Sequence, residues 1–353
     1  MIIVQTVQFK LLPTVEQEQH LQHTTHEFIN CANDLVDYCI GQVKYPKLTS
    51  SSFRAALPSA VRSEVCETVK SILRKSKGEK LPVLKKPVAI WNNQNYKVNA
   101  DSISFPVWVD GKCQRITVNA IIDDYQHNQL LGGKLGTLRI TQKSGKWIAQ
   151  VAIKVPAAPE VGDKIMGVDL GLKVPAVAVT EDGATKFSGN GRKNKYMKRK
   201  HRSRRKALGK AKKQKAIEKL DNKEQRWMCD QDHKISRELV NFAILHGIGI
   251  IHMELLQNIR ETARTSRKNR KNLHTWSFYR LAQFIEYKAN LVGIRVEYVN
   301  PAYTSQTCPD CGKRNKARDR KYKCSCGFTT HRDRLGAINI ISAPVVSDNR
   351  EPA

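Results

Sequence analysis

The residues of this 353-residue chain best suited to chemistry fall into two sets, one of acids and one of thiols. Asp169 sits in an apolar run read as a buried strand, Lys164-Ile165-Met166-Gly167-Val168-Asp169-Leu170-Gly171-Leu172, and Glu254 sits in another, Ile248-Gly249-Ile250-Ile251-His252-Met253-Glu254-Leu255-Leu256. A carboxylate inside an apolar strand is costly unless something compensates it. Gly167 and Gly171 remove side chains on either side of Asp169 and let backbone or ligand come close. Asp333 falls in the first turn of a helical stretch, 331–341, where the helix dipole alone would favour an acid. Three carboxylates drawn from distant points repel one another unless cations lie between them. Two Mg2+ ions ~4 Å apart would serve, and would stabilise the attacking and leaving oxygens of a phosphodiester hydrolysis. For each acid taken singly, the alternative is a cap or a surface charge.

The thiols are Cys308 and Cys311, then Cys324 and Cys326, the two pairs separated by twelve residues and each followed by glycine. Such paired thiolates supply a tetrahedral sulfur set for one Zn2+, structural in kind because four protein ligands leave no open position. His331 could replace one of them. Arg314, Lys316, Arg318, Arg320, Lys321 and Lys323 make the intervening ribbon basic. The other five cysteines, Cys31, Cys39, Cys66, Cys113 and Cys229, are scattered and are expected to be buried small hydrophobes.

Charge sets the class of partner. The chain has 61 Lys+Arg against 32 Asp+Glu, a net +29, which points to a polyanion. No uncharged apolar run approaches the ~20 residues that span a bilayer, and the N-terminus lacks a signal-peptide layout. A cytoplasmic, nucleoid-associated protein without membrane contact is expected. Residues 192–226 hold 17 Lys/Arg against three acids. Lys198, Arg199, Lys200, Arg202, Arg204, Arg205 and Lys206 form the densest part. A helix so charged repels itself at i,i+4, and a bound phosphate backbone reverses that sign. The alternative is a solvated face. The run is expected to continue as one helix through Trp227 to Ile244. A second basic stretch carries Arg264, Arg267, Lys268, Arg270 and Lys271.

The elements that would position these groups can be read by period. Residues 2–12 alternate as a strand, and Thr14 with Gln17 forms a capping box for a helix along Leu21, Phe28, Leu35, Val36 and Cys39. A second helix, 59–76, aligns Val61, Val65, Val69, Ile72 and Leu73. From Leu81 to Val155 the pattern becomes strands and turns, an antiparallel sheet or small barrel into which both helices are inserted. Trp91, Trp108 and Trp147 belong to its core or serve as stacking platforms. Residues 175–180 return as a second strand after Asp169, and RNase H-like nucleases begin their metal site with a carboxylate on the first strand of such a meander. A helix over 275–291 and a strand over 295–299 follow.

Taken together, GVDLG at 167–171, HMELL at 252–256, WSFYRLAQFIEYKA at 276–289, YTSQTCPDCG at 303–312 and KCSCGFTTHRDRLGAINI at 323–340 resemble the TnpB proteins of insertion sequences. Those are transposon-encoded RNA-guided nucleases related to type V CRISPR effectors. The resemblance is dense over 160–343. It implies an α/β multidomain chain: a split RNase H-like RuvC nuclease domain with an inserted zinc ribbon, and an N-terminal antiparallel β wedge carrying a helical recognition insert. The implied boundaries are 1–13 for the first wedge strand, 14–80 for the helical insert and 81–160 for the rest of the wedge. RuvC then spans 161–303, the ribbon 304–330, and the third acidic motif with the tail 331–353. The resemblance makes Asp169, Glu254 and Asp333 the catalytic, metal-binding triad. Its partners would be a guide RNA from the transposon end and a double-stranded DNA target, held by a monomer. Guide pairing would read sequence, and the protein would read duplex shape and a short adjacent motif. Three rivals share the motifs: a miniature type V effector, a guided repressor that does not cut, and a guide-free zinc-ribbon nucleic-acid-binding protein.

Overall fold

Strand β1 (Ile2–Leu12) buries Ile3, Val7, Phe9 and Leu11, with Gln5 half-buried on the same face, and turns Val4, Thr6 and Gln8 outward. This is the period-two pattern of a sheet with one face against a core. The structure, a computed structural model, describes residues 2–40, 42, 46–76, 82–256 and 278–346. The chain divides into two units, Ile2–Val155 and Pro156–Ala353.

In the first unit, α1 (Val15–Ile40) and α2 (Ser59–Ser76) follow β1. Then come β2 (Val88–Trp91), β3 (Lys97–Val98), β4 (Ser102–Val109), β5 (Lys112–Ile121), α3 (Asp124–Gly132), β6 (Lys134–Lys143) and β7 (Lys146–Pro156). The seven strands form one sheet in the order β2-β6-β7-β1-β5-β4-β3. The two helices inserted after β1 pack against each other and against β2. Their stripes, Leu21, Phe28, Ala32 and Val36 on α1 and Val61, Val65 and Val69 on α2, join the sheet in one core. The Thr14–Gln17 capping box forms as expected: the Gln17 N–H donates to Thr14 Oγ1 at 3.3 Å, and the Thr14 N–H donates to Gln17 Oε1 at 3.2 Å. Helix α3 was not expected, although Asp123 and Gln126 cap it by the same device. Trp91 and Trp147 are core residues, whereas Trp108 is half-buried. Cysteines 39 and 66 are buried, but Cys31 and Cys229 are half-buried and Cys113 is exposed on β5. Burial of all five scattered thiols is therefore corrected; a lone cysteine gives no sign of which strand face it takes.

The second unit opens with the meander β8 (Ile165–Asp169), β9 (Ala176–Thr180) and β10 (Thr185–Ser188). Helices α4 (Gly191–Lys210), α5 (Gln214–Leu220) and α6 (Lys223–Leu245) lead to β11 (Ile250–Glu254). Helix α7 (Phe278–Asn290), β12 (Arg295–Val299), the two-stranded ribbon of β13 (Lys321–Lys323) and β14 (Thr329–His331), and α8 (Arg332–Ile341) complete it. The sheet order is β10-β9-β8-β11-β12, antiparallel on the β10 side and parallel through β8, β11 and β12. Helices α6 and α7 cover one face, packing on Met166, Val168, Ile251 and Met253. Helix α8 covers the other, where Ala337 meets Val177 and Val179.

The single long basic helix is not formed. It breaks at Lys212 and Asp221, both at positive φ (54° and 41°). Helix α4 buries only Gly191, so little packing holds a self-repelling segment to a longer path.

Candidate metal-binding active site

Alternation along β8 and β11 decides which side chains reach α8. Met166, Val168, Ile251 and Met253 point to the α6–α7 core, so Gly167, Asp169, His252 and Glu254 take the opposite face. The parallel register pairs Val168 with Met253, which brings Asp169 and Glu254 side by side at the same strand ends. Helix α8 lies over β8, β9 and β11. It comes close because Gly167 has no side chain: a Cβ there would overlap the Ala337 carbonyl oxygen. One residue earlier on the same helix, a Cβ on Gly336 would stand 3.1 Å from Asp169 Oδ2. The same helix buries Asp333 in its first turn. His252 Nδ1 lies 3.0 Å from the Ile341 carbonyl and ties down the far end of α8.

The three acids feel one another. Burial, and then the negative charges of Glu254 and Asp333, hold the Asp169 carboxyl well above the usual carboxylate range; Arg332 and Arg320 only partly offset this. Burial also raises Glu254, against a hydrogen bond of 2.5 Å that Thr304 Oγ1 donates to its Oε1. Asp333 accepts from Arg320 Nη1 at 2.5 Å on Oδ1 and 2.7 Å on Oδ2. Hard oxygen donors with uncompensated negative charge fit Mg2+. The acids are not drawn as close together as the thiols are.

Those thiols lie on the ribbon. Cys308, Cys311, Cys324 and Cys326 are the one group of three or more such ligands, among the described residues, whose donor atoms all fall within 4.8 Å of one another. Cys308 and Cys326 are 3.6 Å apart, and Cys311 and Cys324 are 3.5 Å apart. The Cys326 N–H holds the Cys324 thiol down to about 6, which favours a thiolate at neutral pH. Four sulfurs so placed fit a tetrahedral Zn2+. His331 is not one of the clustered ligands; its Nδ1 accepts from the Asp333 N–H at 3.3 Å and caps α8.

Of the basic residues named on α4, Arg199, Lys200, Arg202, Arg204 and Lys206 are exposed, while Lys198 and Arg205 are half-buried. Arg205 pairs with Glu224 at 2.6 Å. Burial chiefly lowers the Lys198 pKa. Both side chains line a cleft of about 240 Å³ with Asp221, Glu224 and Arg280. Arg264, Arg267, Lys268, Arg270 and Lys271 lie outside the described residues. Two site residues, Thr304 and Asn339, and the specific role of Arg320 escaped sequence reading. The first two act through side-chain hydrogen bonds that leave no periodic trace, and the third is one cation in a basic ribbon.

The family model described as "Probable transposase" matches residues 149–260, and that described as "Cas12f1-like, TNB domain" matches 278–340. A TnpB-like protein of Methanocaldococcus jannaschii is 33% identical over 241 residues, covering 64% of this chain and 85% of that protein. The CRISPR-associated endodeoxyribonuclease Cas12f1 of Sulfoacidibacillus thermotolerans is 31% identical over 218 residues, covering 56% of this chain but only 50% of that protein. A solved complex of Cas12f1 with sgRNA and target DNA has a similar fold, with a TM-score of 0.66 at 18% identity over 92% of this chain and 81% of that one. The acidic strand ends, the four-cysteine ribbon and these likenesses together place the chain in the TnpB-like family.

Proposed function

We propose that this protein is an RNA-guided DNA endonuclease that cuts target DNA beside a short motif by metal-dependent hydrolysis. The observation that carries the reading is the meeting of Asp169 and Glu254 on adjacent parallel strands beneath the helix that bears Asp333, with Asp169 destabilised by both other acids. A meander followed by two parallel strands supports a split RNase H-like, RuvC-type nuclease domain. The relatives named endodeoxyribonucleases, and the solved complex with sgRNA and target DNA, support the reaction class and the two nucleic-acid partners.

Asp169, Glu254 and Asp333 would hold two Mg2+. When bound, such ions supply Lewis-acid stabilisation of the attacking and leaving oxygens. Around them, Arg320 balances the Asp333 charge and α8 holds that acid over the strand ends. The four cysteines would hold one Zn2+ as a structural staple of the ribbon. The exposed cations of α4, with Arg264 to Lys271, would hold nucleic-acid backbone. In the first unit the sheet is the wedge, and α1 with α2 is the helical recognition insert. The protein acts as a monomer in a prokaryotic cytoplasm, associated with the nucleoid.

The test is Asp169→Ala in the protein purified with its RNA, the RNA being sequenced to supply a matched target. Guided binding is expected to persist while Mg2+-dependent cleavage is lost. Cleavage retained in that variant overturns the assignment.

A further inference from the structure

We infer that Thr304 and Asn339 are positioning residues that set the Glu254 carboxylate for a metal ion. The inference rests on the reading of the acidic cluster as a metal site. Thr304 is buried, 6% exposed, in the segment between β12 and the cysteine ribbon. Its hydroxyl lies 2.5 Å from Glu254 Oε1 and 3.3 Å from the Pro301 carbonyl oxygen. A hydroxyl has one proton to give, and the shorter, charge-assisted bond to the carboxylate takes it. Glu254 is thereby fixed in one rotamer with one oxygen committed.

Asn339 fixes Thr304 in turn. Its Nδ2 lies 2.7 Å from the carbonyl oxygens of both Thr304 and Thr307. Two acceptors on one side settle the amide's orientation, because only the NH2 can face them, and both its protons are used. Asn339 stands on α8, the helix that carries Asp333, and Thr307 directly precedes Cys308. One side chain therefore ties the helix of the third acid to the segment that aims the second.

The backbone agrees. Tyr303, just before Thr304, has φ 64°, a left-handed conformation that an aromatic residue holds only where its surroundings impose it. The Tyr303 carbonyl accepts from the Thr307 N–H and hydroxyl, both at 3.1 Å, and Arg314 stacks on the Tyr303 ring at 3.7 Å. Thr304 is presented to Glu254 by a turn fixed on both sides.

The test measures Mn2+ binding by electron paramagnetic resonance on the full chain purified with its RNA and with zinc in the buffer. Wild type minus Asp169→Ala defines binding at the acidic cluster. Thr304→Val keeps the shape and removes the donor; Asn339→Ala frees the segment. Each is expected to weaken that binding by about 10- to 100-fold, the usual cost of losing a group that orients a ligand. Thr304→Ser, which keeps the hydroxyl, should restore it. Guided DNA binding should be unchanged in all three. Wild-type Mn2+ affinity in Thr304→Val or Asn339→Ala overturns the inference, as does loss of cooperative melting in both, which would make them residues of stability alone. No difference between wild type and Asp169→Ala overturns instead the metal-site reading beneath it.

Discussion

Arg320 Nη1 lies within hydrogen-bond reach of both oxygens of the buried Asp333 carboxylate, at 2.5 and 2.7 Å. The ribbon thus supplies a cation to a helix that would otherwise bury an uncompensated charge near two other acids. Removing one partner of such a pair strands the other, at a cost of about 1–3 kcal/mol for a partly exposed arginine. Arg320→Ala is expected to lower the melting temperature in chelator by several degrees, at roughly 2–4 °C per kcal/mol for a unit of this size. Added Mg2+ should recover more stability in the variant than in wild type. Equal melting of the two proteins in chelator would count against the pair.

Asp169 makes stability depend on pH in a definite sense. Its folded-state pKa is raised above the unfolded value of 3.8 by burial and by Glu254 and Asp333. Between those two values the folded chain binds the additional proton, so stability falls as pH rises through the raised pKa and stays low above it. Asp169→Asn is therefore expected to melt higher than wild type in chelator at pH 8, with the gap closing towards pH 4. It should also lose most of the stabilisation that Mg2+ gives wild type. Melting curves across that range, with and without metal, check both.

The close approach of α8 to β8 depends on Gly167. A Cβ at that position would overlap the Ala337 carbonyl, which is helix backbone and cannot rotate away. Gly167→Ala is expected to cost about 3 kcal/mol or more and to weaken metal binding by lifting Asp333 off the strand ends. Gly132→Ala, where nothing lies within 4 Å, is the control and should be near neutral. Chemical denaturation of the two variants separates them.

On α4 the exposed and inward cations should behave differently. Replacing Arg199, Lys200 and Arg202 by alanine removes three exposed charges, which should reduce the slope of log K against log salt by about two to three for a nucleic-acid ligand. Arg205→Ala should leave that slope nearly unchanged and lower stability instead, because its partner is Glu224 at 2.6 Å. Binding measured at several salt concentrations, beside melting curves, tells these effects apart.

How much of this was legible depended on whether a feature repeats. The apolar runs 164–172 and 248–256 locate β8 and β11, each a five-residue strand inside its longer run, because a buried strand with a terminal acid is an unusual pattern. The capping box at Thr14 and the stripes of α1 and α2 were equally plain. That the acids meet was not written in their spacing. The pairing of β8 with β11 joins segments more than 80 residues apart; two buried strands with terminal acids suggest neighbours, and the resemblance to known proteins implies the triad. Helix α3 was hidden inside a strand-rich stretch; the break at Lys212 lies among lysines and alanines that favour helix, whereas Asp221-Asn222 is a pair suited to a helix break, which the expectation of a single long helix overrides. Lys198 and Arg205 could not be told from their neighbours, since burial of two cations in seven depends on Glu224 and Arg280 arriving from other helices. The Thr304 and Asn339 bonds depend on one donor each, and composition and period do not register a single donor.

Helix α8, which brings Asp333 to the other two acids and closes the sheet face over Gly167, ends at Ile341. A ribosome has therefore made every strand of both sheets, and the whole ribbon, before that helix can dock. Until then the growing polypeptide carries an open apolar face around Val177 and Val179, and its acids cannot converge.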